Sequence, residues 1–117
     1  MKSEMTATTA HDLLETETRR QVVALMLEVE REWDVRELAA ELTRLDPTAS
    51  TDDVERVAIR LYHCALPKLA DADAVDFDAE TKTVESGRLL PALGAHLDDL
   101  LGHDDRVDEK RAFVASV

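Results

Sequence analysis

Residues 50–85, STDDVERVAIRLYHCALPKLADADAVDFDAETKTVE, read as an amphipathic helix, a helix stop and two short alternating strands. Ser50 or Thr51 opens the helix, with Asp52, Asp53 and Glu55 placed favourably at the positive end of its dipole. At helical spacing Val54, Ala58, Leu61 and Ala65 share one face, and Asp52, Arg56, Arg60 and His63 share the opposite one. Pro67 is expected to kink or end the helix near Leu66, with a further turn over residues 68–72. Beyond it Val75 and Phe77 alternate with Asp76 and Asp78, and Val84 answers across residues 79–82. That pattern is a hairpin with one apolar face.

Upstream, Thr18 and Gln21 are spaced as a capping box for a helix over residues 18–32. Its apolar positions Val22, Leu25, Met26, Val29 and Trp33 follow the helical period, and residues 11–14 add a short turn ahead of it. Asp34 and Glu37 form a second box that opens a helix over Val35–Leu45, with Leu38, Ala39, Leu42 and Leu45 inward. Asp46-Pro47 ends it, because a residue before proline disfavours the helical region. Downstream, Leu90, Leu93, Leu97 and Leu100 recur at alternating spacings of three and four, predicting a helix over 90–101 that stops at Gly102. The expected organisation is a disordered tail at 1–10, one domain at 11–87, a C-terminal dimerisation helix at 88–102 and a charged tail at 103–117.

Helix, helix, helix, hairpin, helix is the order of a winged helix-turn-helix with an added C-terminal helix, mainly α with a small β-hairpin. At closer range Leu61-Tyr62-His63, Leu66-Pro67-Lys68-Leu69-Ala70-Asp71-Ala72 and Val75-Asp76-Phe77-Asp78 resemble a family of small haloarchaeal winged-helix domains. The resemblance covers residues 12–85 and extends to Arg19-Arg20 at the start of the first long helix. It implies a fold and assigns neither ligand nor operator, the family's molecular function being largely uncharacterised. Where many winged helices place a left-handed glycine after the third helix, this chain has Asp73, a residue type that tolerates that conformation better than most.

Composition sets limits on partners. The 117 residues suffice for one domain with a core, and with only four aromatic residues that core must be aliphatic. No apolar run approaches the ~20 residues of a membrane span, and the N-terminus lacks a signal peptide's apolar segment. The lone Cys64 cannot form an internal disulfide, so a cytoplasmic protein without membrane contact is expected. Acidic residues outnumber basic ones 26 to 14, for a net charge of −12, and Lys is scarce. Such a surface suits molar salt, where the Debye length is about 3 Å, or else a basic partner.

Arg56, Arg60 and His63 form one stripe on the outer face of the third helix, and arginine is the commonest reader of guanine. Thr51 near the helix start and Lys82 in the hairpin are candidate phosphate contacts. The bland alternative is a solvated face on which these arginines pair with Asp52, Asp53 or another acid. Residues 50–72 carry three basic and four acidic groups, net −1, and residues 73–87 carry Lys82 against five acids, net −4. Phosphate contact is therefore disfavoured at ordinary salt. Ile59 fits a thymine methyl, a protein interface or a place beneath the neighbouring helix.

The Leu90, Leu93, Leu97 and Leu100 stripe is expected to hold a homodimer, with packing onto its own domain as the alternative. His63-Cys64 lacks companions for a zinc site, and Cys64 reads as small apolar filler. No cofactor is expected. Enzyme motifs are missing: no glycine-rich phosphate loop, nucleophile elbow or zinc-protease helix occurs. The leading expectation is a homodimeric regulator that binds double-stranded DNA, with helix 50–66 in the major groove. A winged-helix module that binds a protein partner is the alternative.

Overall fold

The computed structural model describes residues 5–100; the expected end of the last helix at Leu101-Gly102 and the tail at 103–117 lie outside them. Helix α1, Ala7–Leu13, opens on Thr6, whose hydroxyl accepts from the Thr9 amide at 3.1 Å. It begins inside the stretch expected to be a tail, because Ala10 is small enough to be fully buried against the core. Arg19 and Arg20 close its far end: Nε of Arg19 donates to the Leu13 carbonyl at 2.7 Å, and Arg20 donates to that of Leu14 at 2.8 Å. Carbonyls left over at a helix end are satisfied in this way by side chains.

Helix α2 spans Glu17–Glu28 and is capped by Thr16, not by the Thr18–Gln21 box. It ends at Glu28 because Val29 is already extended, and Trp33, expected on its inner face, belongs to strand β1, Trp33–Asp34. Helix α3, Val35–Leu45, forms as expected. The Asp34 carboxylate accepts from the Arg36 amide at 2.8 Å, and the Glu37 carboxylate accepts from the Asp34 amide at 3.2 Å. Its inner face is centred nearer Ala39 and Thr43 than the Leu spacing suggests. Leu45 is 55% exposed, and Thr43 is buried with its hydroxyl donating to the Ala39 carbonyl at 2.8 Å.

A 3-10 turn at Thr51–Asp53 leads into helix α4, Val54–Arg60, then a π-turn at Leu61–Ala65 and helix α5, Leu66–Asp71. Pro67 neither stops nor breaks this run. In the π-turn the Leu66 amide bonds to the Leu61 carbonyl five residues back. Pro67 then stands in the first turn of α5, where no amide hydrogen is needed. Asp73 closes the helix with φ 63°, the left-handed role expected of it.

Strands β2, Val75–Asp78, and β3, Thr83–Ser86, form the hairpin with Phe77 opposite Val84. The sheet has three strands in the order β1-β3-β2, all antiparallel, with Trp33 opposite Val84. The strand missed by the sequence reading is only two residues long. Mainly helical with a small antiparallel sheet, the architecture is compatible with the winged-helix expectation.

The last helix, α6, occupies residues 90–100 of the described span. Leu90, Leu93 and Leu97 are buried in the same core as Leu38, Leu61, Leu66 and Val84. The expected dimer stripe is therefore corrected. Three of its four leucines are consumed by packing onto their own domain, and Leu100 alone is exposed, at 37%. Among the described residues no helix is long and apolar enough to cross a membrane.

Candidate nucleic-acid interface

The outer face of α4 and the π-turn carries Arg56, Ile59, Arg60 and His63, all exposed. Ile59 is 53% exposed, so the neighbouring helix does not cover it. Cys64 is exposed too, and is not the filler expected. The stripe divides between two grooves. Arg56 and Arg60 line one of about 260 Å³ with Asp46, Thr48 and Asp53. His63 lies on the other, of about 400 Å³, whose floor is Val35, Ala58, Ile59 and Tyr62 and whose rim includes Arg36 and Lys82. Thr51 stands apart from both, exposed in the 3-10 turn.

The helix start is held by a reciprocal cap. The Ser50 hydroxyl accepts from the Asp52 amide at 3.3 Å, and the Asp53 carboxylate accepts from the Ser50 amide at 2.9 Å. Asp53 also pairs with Arg56, and Glu55 with Arg36 across to α3. Arg60 has no ion pair among the described residues. The pairing foreseen for a solvated face therefore holds for Arg56 and fails for Arg60.

The Ser50 amide, then the Arg56 guanidinium, hold the Asp53 carboxyl below its ordinary value. Asp46 is likewise lowered, by the Thr48 amide and hydroxyl. A carboxylate depressed on folding adds stability above its unfolded value, about pH 4, and that stability is lost as pH falls through the lower folded value. We expect the Asp53 carboxyl carbon to titrate by NMR with a midpoint below 3.8, its ordinary value, with loss of the Ser50 amide's protection following it. An Asp53 midpoint at or above that value contradicts the cap.

Tyr62 fixes the hairpin against the helix. Its hydroxyl donates to the Ala79 carbonyl at 3.1 Å, and its ring meets Phe77 edge-on at 5.6 Å. The Lys82 ammonium lies 5.7 Å from the centre of the same ring. Lys82 has φ 57°, and its carbonyl accepts from the Val35 amide at 3.0 Å, joining the hairpin turn to the start of α3. One of the hairpin's acids is structural: Asp78 accepts from the amides of Glu80 and Thr81 at 2.9 and 3.3 Å, an Asx-type turn.

A family model described as Domain of unknown function (DUF7344) matches residues 11–85. The chain belongs to that family. The DUF7344 span contains all of α2 through β2 and every residue of both grooves, so the candidate interface is a feature of the domain itself. No curated protein and no solved structure matches the chain.

Two residues of the DUF7344 domain's larger groove were not legible as site residues. Arg36 was hidden by the capping box around it, and Tyr62 sat at the edge of the apolar arc. An exposed arginine directly after a cap was the available signal for the first. The five expected contacts are not gathered at one point: His63 and Lys82 share a groove, Arg56 and Arg60 share another, and Thr51 lines neither.

Proposed function

We propose that this domain is a winged helix-turn-helix that binds double-stranded DNA and regulates transcription. Helices α3 and α4 form the helix-turn-helix, and the run from Thr51 enters the major groove. The observation that supports this best is the uncovered face of α4. Arg60 is unpaired among the described residues, Ile59 is bare and His63 is exposed, with Lys82 on the adjoining turn. An arginine offers paired donors to guanine, and an aliphatic side chain fits a thymine methyl. The acidic balance fits a protein adapted to molar salt, where phosphate repulsion is screened within about 3 Å. Paired half-sites call for a homodimer built on a face other than Leu90, Leu93 and Leu97.

Selection of genomic fragments by the purified protein in ~2 M KCl, followed by sequencing, tests the reading under screened conditions. Enrichment of a short inverted repeat supports a dimeric regulator. The double variant Arg56→Ala/Arg60→Ala is expected to lose about a hundredfold in affinity for the selected duplex, given roughly 1–3 kcal/mol for each good arginine–base contact. A double variant that binds like the parent removes this face from the interface.

The second reading is a protein-interaction module. It is favoured by the groove of about 450 Å³ beside Phe77, which Glu32, Asp76, Asp78 and Glu85 line. Absence of enriched DNA from folded protein moves the assignment there.

A further inference from the structure

The groove that His63 and Lys82 share carries a cationic side chain that the expected contact set lacks. Arg36 is exposed one residue inside α3, and its guanidinium is paired with Glu55 of α4. It lies on the rim that Lys82 and His63 share, beneath which Val35, Ala58, Ile59 and Tyr62 make an apolar floor. The rim is built, not fortuitous: the Val35 amide bonds the Lys82 carbonyl at 3.0 Å, which ties Arg36's neighbour to the hairpin turn. Both partners of the pair are open to solvent, with side chains 61% and 63% exposed. An ion pair so exposed is weak and readily exchanged. Of the two carboxylates on this groove, Asp34 is occupied in capping α3, so Glu55 is the one that restrains the guanidinium.

We infer that Arg36 is a DNA-backbone contact held in reserve by Glu55, moving from that carboxylate to a phosphate when the duplex enters the groove. This rests on the DNA-binding reading above. The exchange has a thermodynamic signature. A phosphate neutralised by a free arginine releases counterions, giving a slope of about −0.9 per contact in log affinity against log salt. When the arginine leaves a carboxylate behind, that carboxylate recruits a cation, and the release is cancelled. The Arg36 contact is therefore silent in the salt dependence of the parent protein, and removal of the Glu55 charge makes it visible.

The experiment uses the full chain and the selected duplex, with affinity read by fluorescence anisotropy across a KCl series. Parent, Glu55→Gln, Arg36→Ala, Arg36→Ala/Glu55→Gln and Arg56→Ala/Arg60→Ala proteins are compared, each shown folded by circular dichroism. Glu55→Gln is expected to bind roughly two- to fivefold tighter at low salt, the range of an exposed ion pair, and to steepen the slope by about 0.9. Arg36→Ala is expected to bind more weakly, and the combined variant to return the slope to the parent's value. An unchanged slope in Glu55→Gln, or a steeper slope that survives loss of Arg36, overturns the exchange. If that happens while Arg56→Ala/Arg60→Ala still loses binding, the exchange fails and the DNA-binding reading stands. No binding by the parent or by Glu55→Gln removes both.

Discussion

Replacing Leu93 by alanine is expected to lower the unfolding free energy by about 2–5 kcal/mol and to leave the oligomeric state of the folded protein unchanged. Leu93 is fully buried, between Leu90 and Leu97 on the inner face of α6, and all three belong to the core that Leu38, Leu61 and Leu66 share. Truncation there removes the transfer energy of the lost methyls and leaves a cavity that a tightly packed interior fills only partly. Urea denaturation gives the stability and sedimentation gives the mass. A variant that dissociates from dimer to monomer at unchanged stability returns the leucine stripe to an intermolecular role.

Gly87→Ala is expected to cost about 1–3 kcal/mol, the range of an overpacked interior, with the loss concentrated where the hairpin meets α5. A methyl at Gly87 would lie 2.7 Å from the Asp73 carbonyl oxygen and 2.8 Å from the Ala74 carbonyl carbon and the Val75 nitrogen. Every one of these atoms is backbone, so no side chain can turn aside. The two segments are also bonded at this crossing: the Gly87 amide donates to Ala74 at 2.9 Å and the Leu89 amide to Asp73 at 2.8 Å. Gly94→Ala is the control. Its methyl meets the Cδ1 atom of Leu27 at 2.5 Å, the tip of a partly exposed side chain that can swing away. Alanine in a helix is worth about 1 kcal/mol over glycine, so this variant stays within about 1 kcal/mol of the parent. Thermal and urea unfolding of the two variants together decide the point. Equal losses would show that the backbone crossing at Gly87 carries no cost of its own.

Much of the fold was legible because local chemistry wrote it: the Asp34–Glu37 cap, the helix start at Ser50 or Thr51, the apolar face of α4 and the hairpin's apolar face all follow from side-chain spacing. What was missed has physical causes. Trp33 satisfies a helical period as well as a strand, and two residues cannot display alternation. Pro67 signals a stop only if the preceding turn keeps its ordinary pitch, which the π-turn does not. Leu90, Leu93 and Leu97 proclaim that something covers them, yet periodicity carries no information on whether the cover is the chain itself or a second copy. The exposed arginines were legible as a stripe. Their division between grooves was not, because the Arg36–Glu55 pair and the contact of Tyr62 with the hairpin join residues 17 to 19 positions apart.

Tyr62 has a mechanical consequence. Tied to Ala79, set edge-on against Phe77 and overlain by Lys82, it sets the gap between helix and hairpin before any partner arrives. The two elements behave as the fixed jaws of a gauge. Little ordering entropy remains to be lost on closure, so a partner is sorted by whether its own contour fits the opening.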